Sequence, residues 1–73
     1  MKFILDEVVF VKNHPEIDIN TEAVGILNIN RKNKTYTVYK TADTTQPHKL
    51  FVVKESDIIS PLEWIDLHQK LDE

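Results

Sequence analysis

The chain has no cysteine and only one glycine among its 73 residues. Without cysteine it cannot form disulfide bonds, use a thiolate nucleophile or hold zinc through sulfur. It has no run of roughly 18 apolar residues, the length that a membrane-spanning helix needs, so we expect no membrane partner. A chain this short forms one domain, over 1–73, and buries only about 60% of the surface that its unfolded form exposes. That leaves little room for a deep catalytic cleft.

Strands are predicted where β-branched and aromatic residues cluster between polar breaks. Four such runs occur, over residues 8–11, 23–30, 35–40 and 50–53. The third run alternates strictly, which predicts Tyr36 and Val38 on a buried face and Tyr39 on the opposite face. The fourth run is apolar on both faces, which is typical of a strand that is covered on both sides.

The single glycine, Gly25, lies in the second run. A lone glycine in a strand favours a bend or bulge, and a phosphate-binding loop is disfavoured because no second glycine accompanies it. Continuous alternation along this run would place Gly25, Leu27 and Ile29 on one face and Val24, Ile26 and Asn28 on the other. In the preceding polar loop, 13–22, we expect Ile17 and Ile19 to anchor the loop to the domain.

The last segment carries three agreeing signals for the start of a helix. Ser60 is a preferred N-cap, Pro61 suits the first helical position, and Glu63 completes a capping box. Ile59 and Trp64 lie at the two positions of a hydrophobic staple. These signals predict a helix over 61–71.

One stripe of this helix is apolar, formed by Trp64, Leu67, His68 and Leu71, with Ile65 beside it. An isolated helix of this length is marginal in water, so it must pack against the sheet. We predict that it covers the outer face of the fourth strand, where Leu50 and Val52 offer an apolar surface.

Four short motifs connect the chain to a known group: Asp6-x-Val8-x-Phe10, Val24-Gly25-x-Leu27, Tyr36-x-Val38 and Val53-x-x-x-Asp57-Ile58. Over about residues 5–60 they resemble the small bacterial SH3-like barrels, which include stand-alone proteins of unassigned function and KOW-type domains. The resemblance implies a mainly β fold, a small SH3-like antiparallel barrel of about five strands over 5–60 with a docked C-terminal helix at 61–71. Such barrels usually carry a glycine where this chain has Glu22.

Residues that could carry chemistry are scattered along the chain. The three histidines, His14, His48 and His68, lie far apart in sequence, so a metal site would need the fold to gather three separate elements. Neighbouring carboxylates occur, but no pattern predicts the burial that separates the pKa values of a catalytic pair. We therefore expect no enzymatic activity, no cofactor and no metal.

Charge is distributed unevenly. Two lysines and five acidic residues give −3 over residues 1–30, six basic residues and one acidic residue give +5 over 31–54, and one lysine and six acidic residues give −5 over 55–73. Segregated charge steers and selects partners more than it stabilises a fold. The polar 31–34 segment has hairpin-turn composition and concentrates part of the positive charge.

The leading hypothesis is a small, cytoplasmic, bacterial binding module that acts by occupying a partner protein, as a regulator or as a toxin-neutralising or phage-related protein. SH3-like barrels often bind through aromatics near the loops that correspond to 13–22 and 31–34, so the resemblance implies Tyr39 as a contact. The candidate partner-binding residues are Arg31, Lys32, Lys34 and Tyr39.

Three alternatives stay open. The same four residues could serve a nucleic-acid-associated, KOW-type domain, in which lysines contact phosphates and Tyr39 stacks on a base. The lysines could instead only shield exposed strands from edge pairing. A weak homodimer rather than a monomer would follow if the helix left the face of Leu50 and Val52 open.

Overall fold

The computed structural model describes residues 3–71, with the backbone alone for 69–71. Its elements are β1 (Val8–Val11), β2 (Val24–Asn30), β3 (Thr35–Lys40), β4 (Leu50–Lys54), a 3₁₀ turn (Glu55–Asp57), β5 (Ile58–Ile59) and α1 (Pro61–Leu71). The five strands form one antiparallel sheet in the order β4-β3-β2-β1-β5. The mainly β prediction with one C-terminal helix is confirmed, and the four predicted strands agree with the structure to within one residue at either end.

The sheet is strongly bent where its two edge strands approach each other. A flat sheet of five strands would hold β4 and β5 roughly 19 Å apart. The 3₁₀ turn that joins them has three residues and rises only about 2 Å per residue. Within residues 3–71 the ladder ends at β4 and β5, so the closed SH3-like barrel stays a prediction.

The inner face of the sheet carries the core. Tyr36 and Val38 are fully buried, as the alternation of β3 predicts. The hydroxyl of Tyr36 donates to Oε2 of Glu55 at 3.0 Å and accepts the N–H of Phe3 at 3.3 Å, so its polar atom is satisfied. Ile17 is buried in the same core and Ile19 is half-buried, so both anchor the 13–22 loop as expected.

The predicted faces of β2 hold only for its first half. The pairing with β3 shifts between Ile26 and Asn28, so Leu27 is the extra residue of a β-bulge. Beyond the bulge Ile29 packs against the core and Asn28 is exposed. The predicted faces of these two residues were wrong because a bulge inverts the alternation that follows it.

The helix begins as predicted. The N–H of Glu63 donates to Oγ of Ser60 at 3.3 Å, and the Ser60 hydroxyl donates to Oε1 of Glu63 at 3.3 Å. The N–H of Trp64 bonds to the carbonyl of Ser60 at 2.9 Å, which closes the first turn. The carboxylate of Glu63 therefore accepts a bond from the capping hydroxyl, and Ser60 is the N-cap of α1.

The predicted docking position of the helix is wrong. The indole of Trp64 stacks on Phe10 of β1, with ring centroids 4.6 Å apart and planes inclined by 13°, and its Nε1–H donates to the carbonyl of Ile19 at 2.6 Å. Ile59, which pairs with Phe10, is buried at 5% exposure. Only Ser60 separates β5 from α1, and β5 pairs with β1, so the helix has to begin at the opposite edge from β4.

Two further expectations change with this position. Leu50 and Val52 stay 52% and 67% exposed, so β4 is covered on its inner face alone. The apolar stripe of the helix is reduced to Trp64 and His68, because Leu67 is 46% exposed; the side chain of Leu71 lies outside the described residues.

Among residues 3–71 no helix has the length and apolar character needed to cross a membrane.

Candidate partner-binding surfaces

Three of the four predicted binding residues meet on one turn. Arg31, Lys32 and Lys34 are exposed in the connection between β2 and β3. The turn is closed by the N–H of Asn33, which donates to Oδ1 of Asn30 at 3.1 Å. Lys34 has a φ of 55°, a left-handed conformation that costs a residue with a Cβ roughly 1–2 kcal/mol. The turn presents three cations together.

Tyr39 does not belong to this group. It lies five residues beyond Lys34 along β3, which corresponds to roughly 17 Å in an extended strand. Its half-buried ring stacks on His48, with centroids 4.9 Å apart and planes inclined by 24°. The proximity of Tyr39 to the basic turn, which the nucleic-acid hypothesis needs, is absent.

Gly25 makes room for the ring of Tyr39. The two residues are cross-strand partners, and a Cβ added to Gly25 would lie 2.7 Å from Cε1 of Tyr39. Gly25 does not have a positive φ, and the bulge of β2 lies two residues later. The close approach of an aromatic ring, rather than the predicted bend, is therefore what requires glycine here.

An apolar surface covers the outer face of the sheet on the β4 side; we name it the outer-face patch and define it as Val8, Leu27, Tyr39, Leu50 and Val52. Leu50 pairs with Tyr39, Tyr39 with Gly25, and Gly25 with Val8, so one row crosses four strands. Val52 lies in the next row, opposite Thr37, and Leu27 is the extra residue of the bulge. Their exposed fractions run from 44% for Leu27 to 67% for Val52, with Tyr39 half-buried.

Two lysines beside the inner face of the sheet, both over the ring of Phe51, are engaged in ion pairs. Nζ of Lys49 lies 3.0 Å from Oε1 of Glu16, and this hydrogen bond lowers the pKa of that carboxyl. Nζ of Lys40 lies 3.0 Å from Oε2 of Glu22. The pKa of Glu22 is lowered first by a bond from the backbone N–H of Asp18 and then by Lys40. Both pairs connect the 13–22 loop to the β3 and β4 strands.

The loop before β4 is organised by Asp43. Its Oδ1 accepts bonds from the hydroxyl and the N–H of Thr45, and these bonds lower its pKa. Its Oδ2 accepts the N–H of Lys49 at 3.3 Å and lies 4.0 Å from Nδ1 of His48, a buried nitrogen that has no hydrogen-bond partner among the described residues. Asp43 thus holds the loop that carries the imidazole against which Tyr39 stacks.

A second surface is an open groove of about 950 Å³ between α1 and the β2–β3 turn. Lys34 and Lys54 line it on the sheet side, and Glu63 and Asp66 line it on the helix side. Its charges are therefore mixed. Within the part of the chain that the structure describes, no group of three His, Asp or Glu side chains could hold a metal ion.

Sequence reasoning missed Val8 and Leu27 as surface residues. Both lie in apolar runs, and alternation alone does not say which of two apolar faces is exposed.

A scan against protein-family models found no match for this chain, and searches of curated proteins and of solved structures found none either.

Proposed function

We propose that this chain is a non-catalytic module that binds a partner protein through the outer-face patch. The observation that carries the proposal is the exposure of Leu50 and Val52, 52% and 67%, on a strand whose outer face nothing in residues 3–71 covers. Single exposed aliphatic residues are ordinary, but a contiguous apolar surface marks an interaction site. Tyr39 lies in the same row and supplies an aromatic anchor of the type that dominates binding energy.

The charge around the patch indicates the chemistry of the partner. Of the six cations in residues 31–54, Lys40 and Lys49 pair with Glu22 and Glu16, so the remaining positive charge lies at the β2–β3 turn and at Lys54. Lys54 is exposed at the end of β4 and has no ion-pair partner among the described residues. A partner with an apolar centre and an acidic rim would complement this surface, because rim charges guide association while the apolar centre holds the complex.

The carboxyl groups support a role without chemistry. A general acid needs a pKa raised toward neutrality by its surroundings. The pKa values of Glu16, Glu22 and Asp43 are all lowered, by hydrogen bonds to lysine, backbone amide and threonine groups. These carboxylates therefore act as fixed anions that hold loops in place.

The resemblance to small bacterial SH3-like barrels supports a cytoplasmic regulator, in which the bound partner is the target. The nucleic-acid hypothesis is the second candidate and is favoured by the three exposed cations of the β2–β3 turn. It is weaker because Tyr39 lies at the far end of β3, and because Glu63 and Asp66 line the groove beside Lys34. Carboxylates there would repel a phosphate backbone.

A matched pair of lysine substitutions tests the proposal. Val52→Lys charges the outer-face patch, whereas Leu62→Lys changes an 80% exposed leucine on α1 in the same way. From a lysate of cells that produce the chain naturally, we expect one protein to be retained stoichiometrically by the wild type and by Leu62→Lys, and to be lost from Val52→Lys. Equal retention by both variants, or no retained protein, would contradict the proposal.

The nucleic-acid candidate needs its own measurement. Binding to labelled RNA and DNA, followed by anisotropy at about 50 and 200 mM salt, should show a steep loss of affinity with salt if phosphate contacts dominate. The control replaces Arg31, Lys32 and Lys34 by glutamine. Our proposal predicts weak binding at both salt concentrations and no difference between the control and the wild type.

A further inference from the structure

We propose that two copies of this chain associate by antiparallel pairing of their β4 strands about Val52, which joins the two sheets into one. This inference goes beyond the proposed function, because the occupant is the chain itself and the contact is the edge of β4 rather than its face. The edge is tested with the purified chain alone, so its failure and the failure of the proposed function are distinguishable.

The backbone of β4 shows which groups point away from the sheet. The N–H of Glu55 bonds to the carbonyl of Lys34 at 3.0 Å, in register with the pairing of β3 and β4. Because bonded and non-bonded pairs alternate in an antiparallel ladder, Val53 and Phe51 bond to β3. The N–H and C=O groups of Leu50, Val52 and Lys54 then point outward, away from β3.

This edge is uncovered. β4 is the last strand of the sheet, and no strand among residues 3–71 pairs with its outer side. Leu50, Val52 and Lys54 are all exposed. An unpaired edge is a template for a further strand, and proteins usually guard it with charge. Here the charges lie only at the ends, at Lys49 and Lys54, and the centre of the strand is apolar.

One symmetric register uses every outward group. With Val52 opposite Val52 of the second copy, Leu50 lies opposite Lys54 of that copy, and all three residues of each strand exchange backbone bonds. Centring on Lys54 instead would oppose two ammonium groups, which is unfavourable.

The contact would be small. A strand pair with adjacent side chains buries less than the roughly 1,600 Å² of a standard interface, so the dimer should be weak and depend on concentration. Val52 of each copy would contact Val52 of the other, with Leu50 on the diagonal, which removes part of their apolar surface from water. This gain adds to the backbone bonds and favours the second copy over a polar peptide.

The absence of cysteine permits a direct test of the register. Bonded residues opposite each other in antiparallel strands have Cα atoms about 5.5 Å apart, within the range of about 4.4–6.8 Å that a disulfide accepts. Val52→Cys should therefore cross-link with itself under mild oxidation, and Leu50→Cys mixed with Lys54→Cys should cross-link faster than either alone. Leu62→Cys on α1 measures random collision.

We expect Val52→Cys to cross-link at least about tenfold faster than Leu62→Cys at equal concentration. Equal rates would overturn the proposal, and so would self-cross-linking of Leu50→Cys as fast as its mixture with Lys54→Cys. Each variant is first compared with the wild type by circular dichroism. The purified chain is used alone, so the result does not depend on whether a partner protein exists.

Sedimentation of the unlabelled chain gives an independent measurement. Val52→Pro removes the outward N–H while the bonds of Phe51 and Val53 to β3 remain, as proline on an edge strand allows. We expect the wild type to form a dimer as its concentration rises, and Val52→Pro to raise the dissociation constant roughly tenfold or more. A wild type that is monomeric at all concentrations, or a dimer that Val52→Pro leaves unchanged, would overturn the proposal.

Discussion

At the β1 end of the outer sheet face, Trp64 stacks on Phe10 and Ile59 is buried, whereas at the β4 end Leu50 and Val52 are mostly exposed. Both ends present apolar side chains on short strands of two to five residues. They differ because the chain leaves β5 for α1 after a single residue, Ser60, and β5 pairs with β1. The connection, rather than the hydrophobicity of the surface, decides which end the helix covers.

The two ends differ in whether their apolar surface contributes to stability or is available for binding. At the covered end, apolar contacts are made within the chain and contribute to the free energy of unfolding. At the uncovered end, the same kind of surface contributes little to that free energy and is available to another molecule. Substitutions at the covered end should therefore lower the free energy of unfolding most. Substitutions at the uncovered end should change that free energy less and weaken binding instead.

The largest expected effect is at the covered end. Trp64→Ala removes the stacking on Phe10 and the bond from Nε1–H to the carbonyl of Ile19. Because Trp64 is half-buried, we expect a loss of about 2–3 kcal/mol, below the values for a fully buried tryptophan. Urea denaturation measures it.

Leu62→Ala is the control for that substitution, since its side chain is 80% exposed on the same helix. It should change the free energy of unfolding by no more than about 0.5 kcal/mol. If Trp64→Ala were equally mild, the helix would contribute nothing by covering β1, and the distinction between the two ends would fail.

The sequence predicts those parts of the fold that depend on local signals. The strict alternation around Tyr36 and Val38 and the capping residue Ser60 each act within a few residues, so the bounds of β3 and α1 follow from them. The docking position of α1 depends on the pairing of β5 with β1, which involves two residues of each strand and leaves almost no pattern in the sequence. Both β1 and β4 are apolar on both faces, so the sequence pattern does not show which of the two strands the helix covers.

The candidate site was predictable in part for the same reason. Charge composition places Arg31, Lys32 and Lys34 on one turn, and alternation places Tyr39 on the outer face. The separation of Tyr39 from that turn follows from the length of β3. The proximity of the ring to Gly25 is a cross-strand contact, which needs the register and could not be obtained from either strand alone.

A smaller effect is expected at the uncovered end, where Gly25 accommodates Tyr39. Gly25→Ala would place a Cβ within 2.7 Å of the ring, so the ring must shift and weaken its stacking on His48. We expect a loss of about 1 kcal/mol by urea denaturation. In a Tyr39→Ala background the same substitution should have less effect, and a cycle of the two variants measures the difference. Equal effects in both backgrounds would show that the ring is not the reason for the glycine.

The smallest expected effect is a loss of stability in acid. It should arise from carboxylates that bond to residues near β3 and β4. The lowered pKa values of Glu16, Glu22 and Asp43 mean that the folded chain holds these protons less tightly than the unfolded chain. Their stabilisation is therefore complete above the ordinary values of 4.5 and 3.8 and is lost as pH falls through the lowered values. Urea denaturation between about pH 6 and pH 3 should show this decline.

Glu16→Gln and Glu22→Gln together should flatten the acid response, since both carboxylates pair with lysines that precede β4 or end β3. A decline of the same size in the double variant would place the responsible groups elsewhere.

Amide hydrogen exchange along β4, followed residue by residue in dilute solution, tests most directly whether this strand is uncovered. We predict alternation, with slow exchange at Phe51 and Val53, whose N–H groups bond to β3, and fast exchange at Leu50, Val52 and Lys54, whose N–H groups point outward. Slow exchange at all five residues in the dilute monomer would contradict the account, because another segment of the chain would then have to cover this edge.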